Sequence, residues 1–83
     1  MPLITKSKAR QMGIKNKSLQ TIEIPKSWSL KDSREWLKQH GYLWQYHRNT
    51  INFRRFAQTY DIEGADFYSK KLPNGIVMVF QSY

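Results

Sequence analysis

The chain contains no cysteine, which excludes disulfide bridges and thiolate metal sites together. The cross-links that prop many small secreted domains are therefore missing, and an intracellular or particle-enclosed setting is expected rather than secretion. Long apolar runs are missing too. The longest, residues 76–80, is five residues long and suits a buried strand, not a membrane span or a signal-peptide core. The four glycines are isolated, so no glycine-rich phosphate loop exists. The first twenty residues hold no acid. A mitochondrial presequence shares that bias, but this stretch lacks an amphipathic arginine-rich face, and targeting is not expected.

Near-neutral bases are almost absent. Only His40 and His47 could serve, and neither has a carboxylate nearby in sequence or a partner at metal-ligand spacing. His40 falls at a helix end, where its ordinary role is to sit against the terminal carbonyls. Asp61, Glu63 and Asp66 lack the twelve-position ligand pattern of a calcium loop. They read as a solvated loop or as a dock for a basic arm from a neighbour. Hydrolytic and transfer chemistry need a nucleophile, a base and an oxyanion site, and the sequence offers no such set. The expectation is a protein that is not an enzyme, with no cofactor, no metal and no small-molecule substrate.

What the chain has is positive charge and aromatic rings. Fourteen lysines and arginines face six acids, a net charge of +8. Five of the fourteen, Lys6, Lys8, Arg10, Lys15 and Lys17, precede residue 18, and the remaining nine against six leave +3. Such an arm can neutralise phosphates and release their counterions, or simply keep a protein soluble. Met12 and Ile14 are the only large apolar residues over 6–18, too few to offset the entropy of ordering. Residues 1–19 are therefore expected as a flexible basic arm, with Leu3, Ile4, Met12 and Ile14 as possible anchors to a partner. Residues 20–83 are expected as a single domain. Eighty-three residues bury roughly 60% of their unfolded surface, and the three tryptophans, five tyrosines and four phenylalanines are expected to carry the core.

Local patterns within 20–83 predict an α+β fold. Alternation over residues 21–24, stopped by Pro25, predicts a strand. Ser29 with Asp32 three residues on predicts a helix start, and Gly41 its end, giving a helix over 30–39. Its apolar side carries Leu30, Ser33, Trp36, Leu37 and His40. Residues 42–47 alternate and predict a strand with Tyr42, Trp44 and Tyr46 on one face. Residues 48–50 supply a turn. Residues 51–58 fit a helical stripe and an alternation equally, and a strand is preferred because a hairpin is the simplest connection. Pro73-Asn74-Gly75 between residues 67–72 and 76–81 is the strongest hairpin signal in the chain. Residues 76–80 are apolar on both faces and are expected to form the central or most covered strand. The order is β-α-β-β-β-β: a small antiparallel sheet with the helix on one face.

Arg48, Arg54, Arg55, Lys70 and Lys71 fall on the expected sheet, interleaved with Tyr46, Phe53, Phe56 and Tyr68. Basic residues beside aromatic faces are what single-strand binders use, charge following the backbone and rings stacking on bases. The competing reading is that Phe53 and Phe56 are simply core. The helix can cover only one face of the sheet. If that face carries Tyr42, Trp44 and Tyr46, then Arg48, Arg54 and Lys70 are the better candidates. Residues 52–56 lack the glycines and spacing of an RNA-recognition motif. No zinc-finger, basic-zipper or helix-turn-helix pattern occurs.

The series Trp36-Leu37-Lys38-Gln39-His40-Gly41-Tyr42, Asn52-Phe53-Arg54-Arg55-Phe56-Ala57-Gln58 and Lys70-Lys71-Leu72-Pro73-Asn74-Gly75-Ile76 resembles a small basic module of large DNA viruses and bacteriophages, found alone or within larger proteins. The similarity spans about residues 22–80 and leaves the arm outside it. It implies a setting, a virus or phage, with virion assembly or genome handling as tasks. It brings no activity and no site residues.

Two functions follow as expectations. The first is association with nucleic acid, DNA or RNA, through phosphates held by Lys6, Lys8, Arg10, Lys15, Lys17, Arg48, Arg54, Arg55, Lys70 and Lys71. The second is a viral or phage structural protein that contacts a protein partner or itself through an open sheet face or an edge strand. In either case the expected location is intracellular or within a virus particle, and not a membrane.

Overall fold

In the computed structural model, which describes residues 3–83, the helix expected over 30–39 spans Leu30–Gln39, here α2 once the N-terminal elements are counted. The Ser29 side chain accepts from the Asp32 amide at 3.0 Å, satisfying one of the free donors of the first turn. At the other end Gly41 takes φ +75°, and the amides of Gly41 and Tyr42 turn back to the carbonyls of Lys38 and Leu37 at 3.2 and 2.9 Å. This pair of bonds is a Schellman motif, and it leaves Tyr42 half-buried against the core. Ser33 and Leu37 are the buried residues of the helix.

In chain order the elements are β1 (Leu3–Ile4), α1 (Lys6–Gln11), β2 (Ser18–Pro25), α2, β3 (His47–Asn49), β4 (Phe53–Ala57), β5 (Asp61–Ile62), β6 (Asp66–Lys71) and β7 (Val77–Ser82). Five strands form one antiparallel sheet in the order β3-β4-β2-β7-β6. With α2, they reproduce the expected β-α-β-β-β-β sequence of elements. The fold is α+β. The Asn74-Gly75 turn joins β6 to β7, with Gly75 at φ +91°. The hairpin of β3 and β4 also forms, with its turn shifted to residues 50–52.

The middle strand is β2, not residues 76–80. Ile22 pairs with Phe56 on one side and Met78 on the other. Ile22, Ile24, Leu37, Phe56 and Ile76 are fully buried and form the core between sheet and α2. This corrects the expectation that aromatic rings carry the core. Phe56 is the one aromatic ring in this centre, and Trp28, Trp36, Tyr42 and Trp44 are only partly buried around it, because the sheet–helix gap over β2 is otherwise filled by branched side chains that alternate onto one face.

Three further expectations fail. Residues 42–46 are not a strand, because the Gln58 side chain takes the place of a neighbouring backbone. Its amide accepts from the Leu43 N–H and donates to the Leu43 carbonyl, both at 2.9 Å. Arg48 and Asn49 lie in β3 rather than a turn. The acidic loop over 61–66 includes a strand, β5, which pairs in parallel with β1.

The N-terminal arm is folded over residues 3–19, and residues 1–2 lie outside the described part. Thr5 caps α1 by accepting from the Lys8 amide. Gly13, at φ +77°, closes it with bonds from Gly13 and Ile14 to Arg10 and Ala9. Ala9 is fully buried. The far end of the chain holds this segment: Tyr83 donates its amide to Asn16 Oδ1 at 2.7 Å and its hydroxyl to the Ile14 carbonyl. The entropy argument for a free arm considered the segment alone and missed these distant partners. Among the described residues no helix is long and apolar enough to cross a membrane.

Gly41→Ala is expected to lower the unfolding free energy by about 1 kcal/mol through backbone strain alone, because among the described residues no atom beyond the local chain lies within 4 Å of the added methyl. Urea denaturation with an unchanged m-value checks it.

Candidate nucleic-acid interface

The register of the sheet decides which basic side chains can act together. Arg48 pairs with Arg55, Arg55 with Glu23, Glu23 with Val77 and Val77 with Lys71. Directly paired residues project on one side, so these five form a row across all five strands. The row lies on the face away from α2, because the adjacent row, His47–Phe56–Ile22–Met78–Lys70, carries the core. Arg48, Arg55 and Lys71 therefore share the open face. Arg54 and Lys70 are on the other.

Arg54 is half-buried, and its Nε points to the Trp28 carbonyl at 3.4 Å. Lys70 stands exposed at the sheet edge. The single basic surface expected from sequence is thus divided by the pleat.

Two arginines directly opposite each other repel. Glu23 offsets this from the other side: its Oε2 lies 3.3 Å from Arg55 Nε, an ion pair whose angle misses that of a hydrogen bond. Among the described residues it is the one ion pair. Arg48 is exposed and, among the described residues, has no acidic partner. With Gln45, Tyr46, His47 and Arg55 it lines a shallow groove of about 420 Å³. Tyr46 is 55% exposed at its rim. The groove therefore places two guanidinium groups beside an open aromatic face, with Asp61 as its one acid.

A larger groove of about 710 Å³ on the same face runs from Arg55 to Phe67, under a wall made by residues 61–65. Asp61 and Glu63 line it, so it favours phosphate less than the first.

Lys6, Lys8, Arg10, Lys15 and Lys17 are all exposed. Lys6 and Lys8 stand on α1, and Arg10 lies over the Tyr83 ring at 5.5 Å. The Lys6 side chain runs alongside Gly64. The acidic loop thus docks the chain's own basic segment, through the Glu63 amide to the Ile4 carbonyl at 2.7 Å rather than through charge. Lys17 holds φ +60° at the turn into β2.

Both histidines are engaged by aromatic rings. His40 stacks on Trp36 at 4.2 Å and bonds its carbonyl through Nδ1 at 2.7 Å. His47 stacks on Phe56 and bonds Asn49 Oδ1.

Sequence reasoning missed the residues that hold the β1–β5 pair in place. Gln81 is fully buried; its side chain donates to the Tyr60 carbonyl at 2.8 Å and accepts from the Ile62 amide at 3.2 Å. A bulge between Leu19 and Thr21 turns Gln20 out of the ladder, and its side chain bonds Asp61. Glutamines in strands give no signal of this kind in isolation. Glu23 was legible as a polar-face residue from the alternation, but its partner depended on register.

Comparison of the chain with protein-family models, with curated proteins and with solved structures finds no match.

Gln81→Ala is expected to cost about 1–3 kcal/mol, since it strands the buried Ile62 amide. Hydrogen exchange should accelerate most at Ile62 and Glu63, and uniform protection there would show that Gln81 does not hold β5.

Proposed function

We propose that the chain is a non-catalytic basic module that associates with nucleic acid chiefly through phosphates. The observation that carries this reading is the state of its cations. Among the described residues only Arg55 has an acidic partner, and the five cations of residues 6–17 stand exposed on a folded segment without an acid. Cations already ordered lose less freedom on meeting a phosphate backbone than those of a free arm. The groove at Tyr46, Arg48 and Arg55 supports a preference for single strands, with the ring stacking on a base and the guanidinium groups following the backbone. The two histidines, each stacked and hydrogen-bonded, support the non-catalytic part. The resemblance to a viral module suggests genome handling as the task.

Labelled single-stranded DNA, single-stranded RNA and duplex, titrated at several salt concentrations, test the reading. Binding should weaken steeply with salt, with a logarithmic slope of about −0.7 per phosphate contact on a single strand. Replacing Lys6, Lys8, Lys15 and Lys17 by alanine should flatten that slope by up to about 3. No binding to any of the three at low salt sinks the proposal. Tyr46→Ala should weaken single-strand binding by about 1–3 kcal/mol and duplex binding far less; an equal loss on both would move stacking off this groove. Glu23→Gln frees Arg55 and should tighten binding severalfold, and weaker binding would mean that Arg55 is not a phosphate contact.

A further inference from the structure

The sheet has two free edges, and they differ. The β3 edge offers three residues, whereas β6 is six residues long and exposed throughout. Phe67 and Tyr68 on it are 53% and 46% exposed. Tyr68 is held in place by stacking on Phe80 at 5.3 Å. The Leu72 amide bonds the Ile76 carbonyl at 2.7 Å, so Lys70, Tyr68 and Asp66, at alternate positions, turn their backbone groups inward to β7. Phe67, Ser69 and Lys71 turn theirs outward, unpaired among the described residues. Long exposed edges of this kind template the addition of another strand.

The sequence of β6 says which strand fits. Two copies related by a two-fold axis pair antiparallel, and since side chains alternate between faces, one residue must lie opposite itself. Centring on Tyr68 sets Asp66 opposite Lys70 of the second copy, and Lys70 opposite its Asp66. It also sets Tyr68 against Tyr68. All three pairs fall at non-hydrogen-bonded positions, where side chains come closest. Phe67 and Ser69 then exchange backbone hydrogen bonds with their outward groups. Centring on Ser69 instead leaves Asp66 opposite Leu72, and centring on Phe67 sets both lysines opposite Glu63 and Gly64, which lie beyond the end of β6 where the strand pairing stops. Edge lysines ordinarily deter pairing; here an acid four residues away answers Lys70 when the strand meets its own antiparallel copy.

We infer that two copies of this chain associate through β6, antiparallel and centred on Tyr68, joining their sheets into one of ten strands. The interface is small, so the dimer is a weak one. This inference does not depend on the nucleic-acid reading.

Sedimentation velocity of the full chain from micromolar to millimolar concentration tests it, with circular dichroism to confirm folding of each variant. Wild type should shift from monomer to dimer across the series. Asp66→Lys and Lys70→Asp each set like charges opposite each other at two positions and should weaken the dimer about tenfold or more. The double variant Asp66→Lys/Lys70→Asp re-forms both pairs and should restore association. Amide exchange at Phe67 and Ser69 should slow with rising concentration. A chain that stays monomeric throughout overturns the proposal. So does a dimer indifferent to both single reversals, or one that the double variant fails to restore.

Discussion

The structure depends on one strand being gripped from both sides. β2 carries Ile22 and Ile24 into the core and pairs with β4 and β7, so the contacts that exclude water under α2 also fix the order of the sheet. Burying such a side chain contributes about 1.5–3 kcal/mol, and a domain this small has few to spend. The aromatic rings come second. Apart from the buried Phe56, they ring a mainly aliphatic centre, and several hold polar or charged neighbours: His40 on Trp36, Lys38 over Trp44 at 4.2 Å, Arg10 over Tyr83. The composition that suggests an aromatic core is thus largely an aromatic rim.

The same strand governs the open face. Its bulge at Gln20 brings Leu19 onto the α2 side and frees the Gln20 side chain for Asp61. From there Gln81 fastens β5, and β5 pairs with β1, which leads into the basic helix α1. A chain of polar bonds, buried or partly so, therefore connects the core to the segment with the greatest charge excess. The charge is not an appendage. Its geometry is set by amide side chains that look unremarkable in sequence.

Much of the fold could be read locally. The bounds of α2 followed from Ser29 and Gly41 because capping acts within one turn, and the β6–β7 hairpin followed from Asn74-Gly75 because positive φ is a property of the turn itself. What failed were features settled by distant partners. Residues 42–46 alternate like a strand, yet Gln58 satisfies Leu43 from fifteen residues away. The N-terminal segment has Thr5 and Gly13 as cap signals, but its order depends on Tyr83 and on a parallel pairing with Asp61–Ile62. The candidate site suffered in the same way. Arg54 and Arg55 are adjacent and chemically identical, and only the register sends one under Trp28 and the other to Glu23.

The two proposals bear on each other through geometry. Pairing at β6 leaves the groove at Tyr46, Arg48 and Arg55 clear, because that groove lies by β3 at the opposite edge of the sheet. A two-fold pair therefore carries two such grooves and two N-terminal basic segments at a fixed separation. A strand long enough to reach both meets the second at high effective concentration, so a weak dimer and a weak phosphate contact reinforce each other. The reinforcement is reciprocal: an oligonucleotide spanning both copies favours the dimer by the same factor by which the dimer favours the oligonucleotide. A strand too short to bridge them gains nothing. The length dependence of binding thus distinguishes a coupled pair from two independent sites on one chain.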